Sequence, residues 1–357
     1  MSQFYPLRVT HITHDTKSSV VVSLAAEDEN RFAYLPGQYL TFRRKFGAEE
    51  LRRSYSICSS AADKSLRVGI KKVDGGGFST WANETLAVGD VLEAMPPMGN
   101  FTFGGEEAGA TRGHYLGVAA GSGITPILSI AKTILEETPN SFFHLIYGNR
   151  SLASIMFREE IEDLKNRFLS RFSVNHVLSG GADLELFSGR IDKDKCHQFF
   201  NSLISPDKLS KAYICGPEDM MKTVSDALDA GGMARSDIKF ELFGASQEGR
   251  LAERAKSKVQ SKRATTCKTT LIMDGVKHTI DITGDTAVLD AALGAAIEAP
   301  YACKAGVCST CRARVIEGTY EFVTNYALED YEVEQGYVLS CQCFPTGDKL
   351  VITYDDH

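Results

Sequence analysis

The sequence predicts three domains in series: an antiparallel β-barrel, a doubly wound α/β domain, and a small α+β domain built around clustered cysteines. Three observations predict this. Short β-rich runs broken by glycine turns fill the chain to about residue 105. From residue 113 to 245, strand-like and helix-like stretches alternate. Beyond a basic stretch, cysteines recur as Cys303-x4-Cys308-x2-Cys311, with Cys341 further on. The corresponding boundaries are 1–105, 106–245, a linker at 246–266, and 267–357.

In the first part, Val20–Leu24, Tyr39–Phe42 and Leu66–Ile70 read as strands, punctuated by Pro36-Gly37 and Asp74-Gly75-Gly76-Gly77. In the second, His114–Ala120, Phe142–Tyr147, Phe172–Val177 and Ala212–Cys215 read as strands. Helices are expected over Ile127–Glu137, over Ile155–Phe168 with Ser154 as its cap, and after Pro217. The linker is poor in bulky apolar residues, holding Leu251 and Val259, and is rich in Lys, Arg, Ser, Gln and Ala. In the third part, Thr269–Met273 and Val276–Ile280 flank Asp274-Gly275, a two-residue hairpin signal, and Thr286–Ile297 reads as a helix.

Composition narrows the function. The 357 residues are 43% hydrophobic, enough for ordinary cores. The N-terminus lacks the apolar run of a signal peptide, and no stretch reaches a membrane span, so a cytoplasmic protein without membrane contact is expected. Nine cysteines in a long chain with no export signal argue against a disulfide framework. The net charge of −7 is uneven: residues 267–357 hold 14 acidic and 6 basic side chains, whereas residues 246–266 hold 6 basic and 2 acidic. An acidic module on a basic tether disfavours nucleic acid and suits steering toward a basic protein partner.

The Cys303, Cys308, Cys311 and Cys341 spacing is the thiolate framework of a plant-type 2Fe-2S cluster. The small residues Ala302, Ala305, Gly306 and Ser309 let the backbone fold tightly and aim N–H groups at sulfur. A zinc site would show paired knuckles, whereas here three cysteines share one loop. Cys341 and Cys343 compete for the fourth position. Strand alternation would face them opposite ways, so only one reaches the cluster.

Two further constellations suit nucleotide cofactors. In Arg53-Ser54-Tyr55-Ser56, alternate residues share a face, placing a cation for a diphosphate beside a phenol for a ring system. The later Gly75-Gly76-Gly77-Phe78-Ser79-Thr80 brings backbone N–H groups toward phosphate at a helix start. Gly121-Ser122-Gly123-Ile124-Thr125-Pro126 follows a strand and precedes a helix, a phosphate-approach turn in the right setting. Cys215-Gly216-Pro217 ends a later strand, where doubly wound sheets bind ligands, and a thiol there is expected to lie against a nicotinamide as a catalytic group, with Tyr55 and Ser56.

In this order these motifs resemble the ferredoxin–NADP reductase superfamily, and the C-terminal part resembles plant-type ferredoxins of β-grasp fold. Together they resemble reductase components of multicomponent oxygenases. Glu50–Cys58, Ile146–Arg150, Tyr301–Cys308, Thr324–Tyr326 and Gly336–Cys341 resemble the reductase subunits of phenylacetyl-CoA epoxidases in particular. The resemblance implies that Arg53, Tyr55 and Ser56 hold FAD, with Tyr55 and Ser56 nearest the reacting ring. It implies that Gly77, Phe78, Ser79 and Thr80 line the diphosphate, and that Gly121, Gly123, Thr125, Cys215 and Gly216 face NAD(P)H. Val338-Leu339-Ser340-Cys341 resembles the fourth-ligand segment, which favours Cys341. Arg150, beyond a strand end, suits a 2′-phosphate and so NADPH over NADH. Glu241-Leu242-Phe243 resembles the end of the reductase core, where an acidic residue sits near the flavin.

The implied function is an electron relay from NADPH through FAD and the cluster to the oxygenase component of a multicomponent monooxygenase, a di-iron enzyme of aerobic phenylacetate degradation. Competing readings are a reductase for another oxygenase or a hybrid-cluster protein, and a redox sensor whose cluster reports to a bound partner.

Overall fold

The structure is a computed structural model that describes residues 4–47, 49–63, 65–104, 112–243, 266–283 and 285–356. The first domain holds β1 (Tyr5–Thr16), β2 (Ser19–Ala26), β3 (Tyr39–Phe46), β4 (Glu49–Ser56), β5 (Leu66–Lys71), α1 (Gly77–Glu84) and β6 (Val91–Ala94). Its sheet runs β4-β3-β6-β1-β2-β5, antiparallel throughout. Leu7, Val9, Val20, Val22, Leu40, Phe42 and Ile70 pack with Phe78 of α1 in one core, the apolar half of the period-two pattern.

The second domain alternates β7 (His114–Ala120), α2 (Ile124–Glu137), β8 (Phe142–Asn149), α3 (Arg158–Arg167), β9 (Phe172–Leu178), α4 (Lys193–Ser202), β10 (Lys211–Cys215), α5 (Glu218–Ala230) and β11 (Ile238–Glu241). Its parallel sheet runs β11-β10-β7-β8-β9. The order reverses between β7 and β10, so a crevice opens at the carboxyl ends of those two strands.

The third domain comprises β12 (Thr266–Met273), β13 (Val276–Thr283), α6 (Val288–Gly294), β14 (Arg312–Phe322), α7 (Asp330–Glu334), β15 (Tyr337–Leu339) and β16 (Cys343–Thr353), in the order β13-β12-β16-β14-β15. The parallel pair is β12 with β16. Asp274 and Gly275 take φ 50° and 73°, the paired positive values a two-residue hairpin needs. The Asp355 carboxylate accepts both their N–H groups, at 2.6 and 2.9 Å.

Several boundaries differ from expectation for identifiable reasons. Helix α2 starts three residues early because Pro126 sits in its first turn, where a missing N–H is harmless. Ser154 does not cap α3. With Ser151 it closes the turn Leu152–Ser154, and Ile155, Met156 and Phe157 then run buried before α3 begins at Arg158. The Asp15 carboxylate accepts the Phe157 N–H, and Gly69 leaves room for the Phe157 ring. Helix α6 is shorter than Thr286–Ile297, because Ala296 turns left-handed at φ 57° and ends it. The linker at 246–266 lies outside the described residues except Thr266, which belongs to β12.

The first two domains share a core: Val21, Cys58, Phe101 and Phe103 pack with Ile127, Ile130 and Ile134 of α2. A charge network crosses the same seam. Lys132 of α2, with a side chain 7% exposed, pairs with Asp63 of the first domain and with Glu160 of α3 at 2.9 Å. Arg67 of β5 reaches Glu160 at 2.9 and 3.2 Å. Burial opposes the charged form of Glu160, but the Arg67 hydrogen bonds and the Arg67 and Lys132 charges outweigh it and hold the carboxyl below its usual range. Its stabilisation is present above the ordinary value of 4.5 and is lost as pH falls through the lowered one.

Replacing Lys132 with Met leaves Asp63 without its ion partner and Glu160 with Arg67 alone, and should destabilise the fold by about 3 kcal/mol in denaturant unfolding. Glu160→Gln should lower Tm at neutral pH and lose less stability than the wild type on acidification. Equal acid sensitivity of the two proteins would show that Glu160 is not the group responsible.

Candidate active site between three domains

A cavity of about 540 Å³ lies where the three domains meet. Strand β4 supplies Arg53, Ser54, Tyr55 and Ser56 to its wall, and the turn before α1 supplies Gly75 and Gly76, followed by Phe78 and Ser79. The second domain adds Ser122, Thr125, Glu241, Leu242 and Phe243, and the third adds Cys303, Val307 and Cys308.

The first-domain wall combines rings with open backbone donors. Tyr55 and Phe78 lie 5.7 Å apart, centroid to centroid, with Phe42 behind them. Gly76 caps α1 with no side chain, so no capping side chain covers the first N–H groups of the helix, and Gly75 and Gly76 line the cavity. Gly75 takes φ 75°, and a Cβ at Gly76 would press on Ser79 Oγ at 2.6 Å. Ser79 Oγ accepts the Val73 N–H at 3.1 Å and so fixes the turn. Arg53 sits on the wall with one Nη donating to the Arg52 carbonyl at 2.8 Å. Gly77 and Thr80 lie in the helix behind this rim; the Thr80 N–H is committed to the Gly76 carbonyl at 3.0 Å.

Across the cavity, Ser56 donates its hydroxyl to Glu241 Oε2 at 2.9 Å. Burial, only partly offset by this hydrogen bond and reinforced by Cys308, pushes the Glu241 carboxyl up to about 8. Glu241 ends β11 and meets Ser56 across 185 residues of sequence. The turn after β7 meets the end of β10 at close range. A Cβ on Gly123 would collide with the Cys215 carbonyl, and one on Gly216 would lie 3.1 Å from Ala120. The Cys215 thiol is fully buried beneath this turn, off the cavity wall, and burial raises its pKa well above the ordinary value. Thr125 holds the turn by donating to the Ser122 carbonyl at 3.0 Å, and the Tyr147 hydroxyl donates to the Gly121 carbonyl at 2.9 Å.

Sequence reasoning missed Lys71. It ends β5 on the cavity wall, and a Cβ at Gly121 would lie 3.4 Å from its Nζ. Burial, then repulsion from Arg150, lowers its pKa. Two cations therefore converge beside the Gly121 turn, although Arg150 is distant in sequence. Arg158 pairs with Glu162 on an exposed helix face at 2.9 Å.

The four predicted cysteines come together in two pairs. The Cys303 and Cys308 thiols contact each other, as do those of Cys311 and Cys341, and all four influence one another electrostatically. The Ala305 N–H donates to Cys303 Sγ at 3.4 Å. The Cys303 thiol, with the Thr310 hydroxyl and N–H, outweighs burial and holds the Cys308 thiol down to about 6. Among the described residues no three ligand side chains surround one ion-sized point. Two sulfur pairs fit two irons better than one tetrahedral ion. Strand alternation does not explain the choice of Cys341, because Ser340–Gln342 form a 3-10 turn rather than strand. That turn carries Cys341 to Cys311, while Cys343 opens β16 within the core near Tyr320 and Tyr354.

The third domain docks through the cysteine loop. Ala305 and Val307 join the second-domain core with Ile214 and Met220. Tyr326 donates to Glu218 Oε1 at 2.8 Å, Asn100 donates to Glu332 Oε2 at 3.1 Å, and the Arg52 guanidinium lies 4.0 Å over the Tyr301 ring.

The chain matches the family models "Oxidoreductase FAD-binding domain" over residues 7–103, "Oxidoreductase NAD-binding domain" over 118–226 and "2Fe-2S iron-sulfur cluster binding domain" over 271–346. It is 39% identical over 359 aligned residues to a subunit of 1,2-phenylacetyl-CoA epoxidase from Escherichia coli (strain K12), covering 99% of each chain. The chain belongs to the ferredoxin–NADP reductase superfamily, in the branch fused to a plant-type ferredoxin. The ferredoxin reductase component of 3-ketosteroid-9-alpha-monooxygenase from Rhodococcus rhodochrous is 32% identical, over 97% of this chain and 95% of that one. Phthalate dioxygenase reductase shares the fold over 98% of both chains, with TM-score 0.59 and 22% identity. The reductase therefore uses FAD, a nicotinamide dinucleotide and a 2Fe-2S cluster, and the donors on the cavity wall and the two sulfur pairs fit these groups.

Cys341→Ser should remove most of the visible absorbance of the cluster while leaving the flavin bands. Cys343→Ser should retain the cluster. The reverse pattern would move the fourth ligand to Cys343. Gly123→Ala should weaken nicotinamide dinucleotide binding at least about tenfold, because the turn cannot move without parting β7 from β10; an unchanged Kd would remove the turn from the site.

Proposed function

We propose that this reductase takes electrons from NADPH and delivers them, by way of FAD and the 2Fe-2S cluster, to a di-iron oxygenase that epoxidises phenylacetyl-CoA. The observation that carries this reading is the cysteine loop at the flavin cavity, in a chain similar over its whole length to a component of such an epoxidase. When bound, the flavin accepts a hydride and releases its two electrons singly, which a one-electron cluster requires.

The chain's own groups have distinct tasks in this reading. Tyr55 packs against the ring system, while Arg53 and the N–H groups at the start of α1 hold the diphosphate beside Gly77, Phe78, Ser79 and Thr80. Ser56 Oγ links the cavity to Glu241, whose carboxyl, raised to about 8, keeps its proton at neutral pH. Gly121, Gly123, Thr125 and Gly216 shape the nicotinamide entrance. Cys215 backs it from beneath, a positioning task suited to its burial. Arg150, with Lys71 nearby, receives phosphate of the dinucleotide and favours NADPH. Cys303, Cys308, Cys311 and Cys341 ligate the cluster.

The finer architecture follows the same reading. The bridge between Ile57 and Val68 brings the ends of the first sheet together and supports closure into a barrel. The mixed third sheet with α6 packed on it supports a β-grasp. In this reading the domains divide near residues 105, 245 and 266, limits that leave each matched segment within one domain. All nine cysteines are free, which suits a reducing cytoplasm, and among the described residues no helix is long and apolar enough to cross a membrane.

Anaerobic titration should bleach the flavin and develop the reduced-cluster paramagnetic signal more readily with NADPH than with NADH. Arg150→Ala should raise KM for NADPH about tenfold and change KM for NADH little, the loss of one charged phosphate contact. A preference for NADH would overturn the role of Arg150 and favour a different oxygenase system. Slow stoichiometric reduction without turnover would favour a sensor.

A further inference from the structure

We propose that the Tyr39 hydroxyl is the latch that holds the ferredoxin domain in its electron-receiving pose. This rests on the relay described above and names the residue that couples its last two centres. Tyr39 opens β3 and is fixed by its own backbone: its N–H donates to the Met98 carbonyl at 2.9 Å, and the Met98 N–H returns to the Tyr39 carbonyl at 3.0 Å. Gly99 lies flat against its ring; a Cβ there would be 2.9 Å from a ring carbon. The ring therefore has one position.

From that position the side chain spans two domains. Its ring packs on Ala302 and Cys308. Its hydroxyl lies 3.2 Å from Ser309 Oγ and 3.2 Å from Thr310 Oγ1, the two residues that follow the ligand Cys308. The residue is 5% exposed, so the phenol depends on these partners. Tyr39 also lines the cavity, which puts one rigid side chain between the flavin site and the cluster loop.

The latch must also release. Cys303 and Cys308, the sulfur pair nearest the cavity, are covered by the first two domains in this pose. Cys311 and Cys341 lie in the core of the ferredoxin domain. An acceptor that uses the same edge of the loop therefore needs the ferredoxin domain to move. Three hydroxyls suit such an exchange, because each finds water on undocking and the net worth of the contact stays small. An apolar contact of the same size would give no comparable directionality to the loop.

The test uses the full chain carrying FAD and cluster, with Tyr39→Phe and, separately, Ser309→Ala, which spares the Thr310 hydroxyl bound to Cys308. Amide hydrogen exchange over residues 306–310 reads the latch without any electron transfer. Rapid mixing with NADPH reads the flavin-to-cluster step, normalised to flavin reduction in the same variant. Tyr39→Phe should speed exchange and slow the transfer about threefold to tenfold, the worth of one or two net hydrogen bonds. The reduced-cluster paramagnetic signal should keep its shape. Ser309→Ala should have a smaller effect of the same sign and add little to Tyr39→Phe, since its contact with the phenol is already lost there. Unchanged exchange and transfer, full additivity, or an altered cluster signal would each overturn the latch. A wild-type protein that NADPH does not reduce would overturn the relay instead, and exchange would still decide whether the hydroxyl holds the loop.

Discussion

Lys132 carries a charge that α2 cannot bury alone. Its partners come from two directions, Asp63 from the first domain and Glu160 from the second, with Arg67 closing the set from β5. Separating the two domains would break several ion pairs at once, and it would expose the shared apolar core. The cavity inherits its shape from this seam. One wall is β4 and the start of α1; the other is the Gly121–Thr125 turn and the end of β11. The Ser56–Glu241 hydrogen bond exists only because the seam holds those walls together.

The ferredoxin domain is attached by different physics. Its contacts with the other two are polar links, those of the Tyr39 hydroxyl among them, a stacked cation, and small apolar patches where Ala305 and Val307 meet the second-domain core and Tyr39 meets Ala302 and Cys308. No buried ion network of the Lys132 kind ties it down among the described residues. The rigid part of the molecule thus fixes where hydride transfer occurs, and the weaker joint sits where electrons must leave. This division matches the chemistry, since hydride transfer tolerates little misplacement while a partner exchange needs a separable surface.

What is legible in the sequence follows the range of the interaction. The cysteine loop, the Arg53–Ser56 strand and the Asp274-Gly275 hairpin are local, so spacing and turn chemistry suffice. The doubly wound domain announces itself by alternation. Lys71, Tyr39 and the partners of Glu241 are not legible as parts of one site, because sheet order rather than sequence distance brings them together. The early start of α2 and the late start of α3 depart from expectation for opposite reasons. Pro126 reads as a helix breaker but is harmless in a first turn. Ile155–Phe157 read as a helical face but are drawn flat into the interdomain core. The preference for Cys341 over Cys343 comes from resemblance, because strand alternation does not describe the 3-10 turn that carries Cys341.

The seclusion of the cysteine loop has two sources. Cys308, Cys311 and Cys341 are buried in the docked arrangement, and Val307 is pressed into a neighbouring core. Only the Cys303–Cys308 side of the site meets the other domains, through Tyr39 and the cavity wall, whereas Cys311 and Cys341 are buried by the ferredoxin domain's own core. The seclusion of the sulfurs is therefore mostly a property of the ferredoxin fold itself, and docking adds cover at one edge.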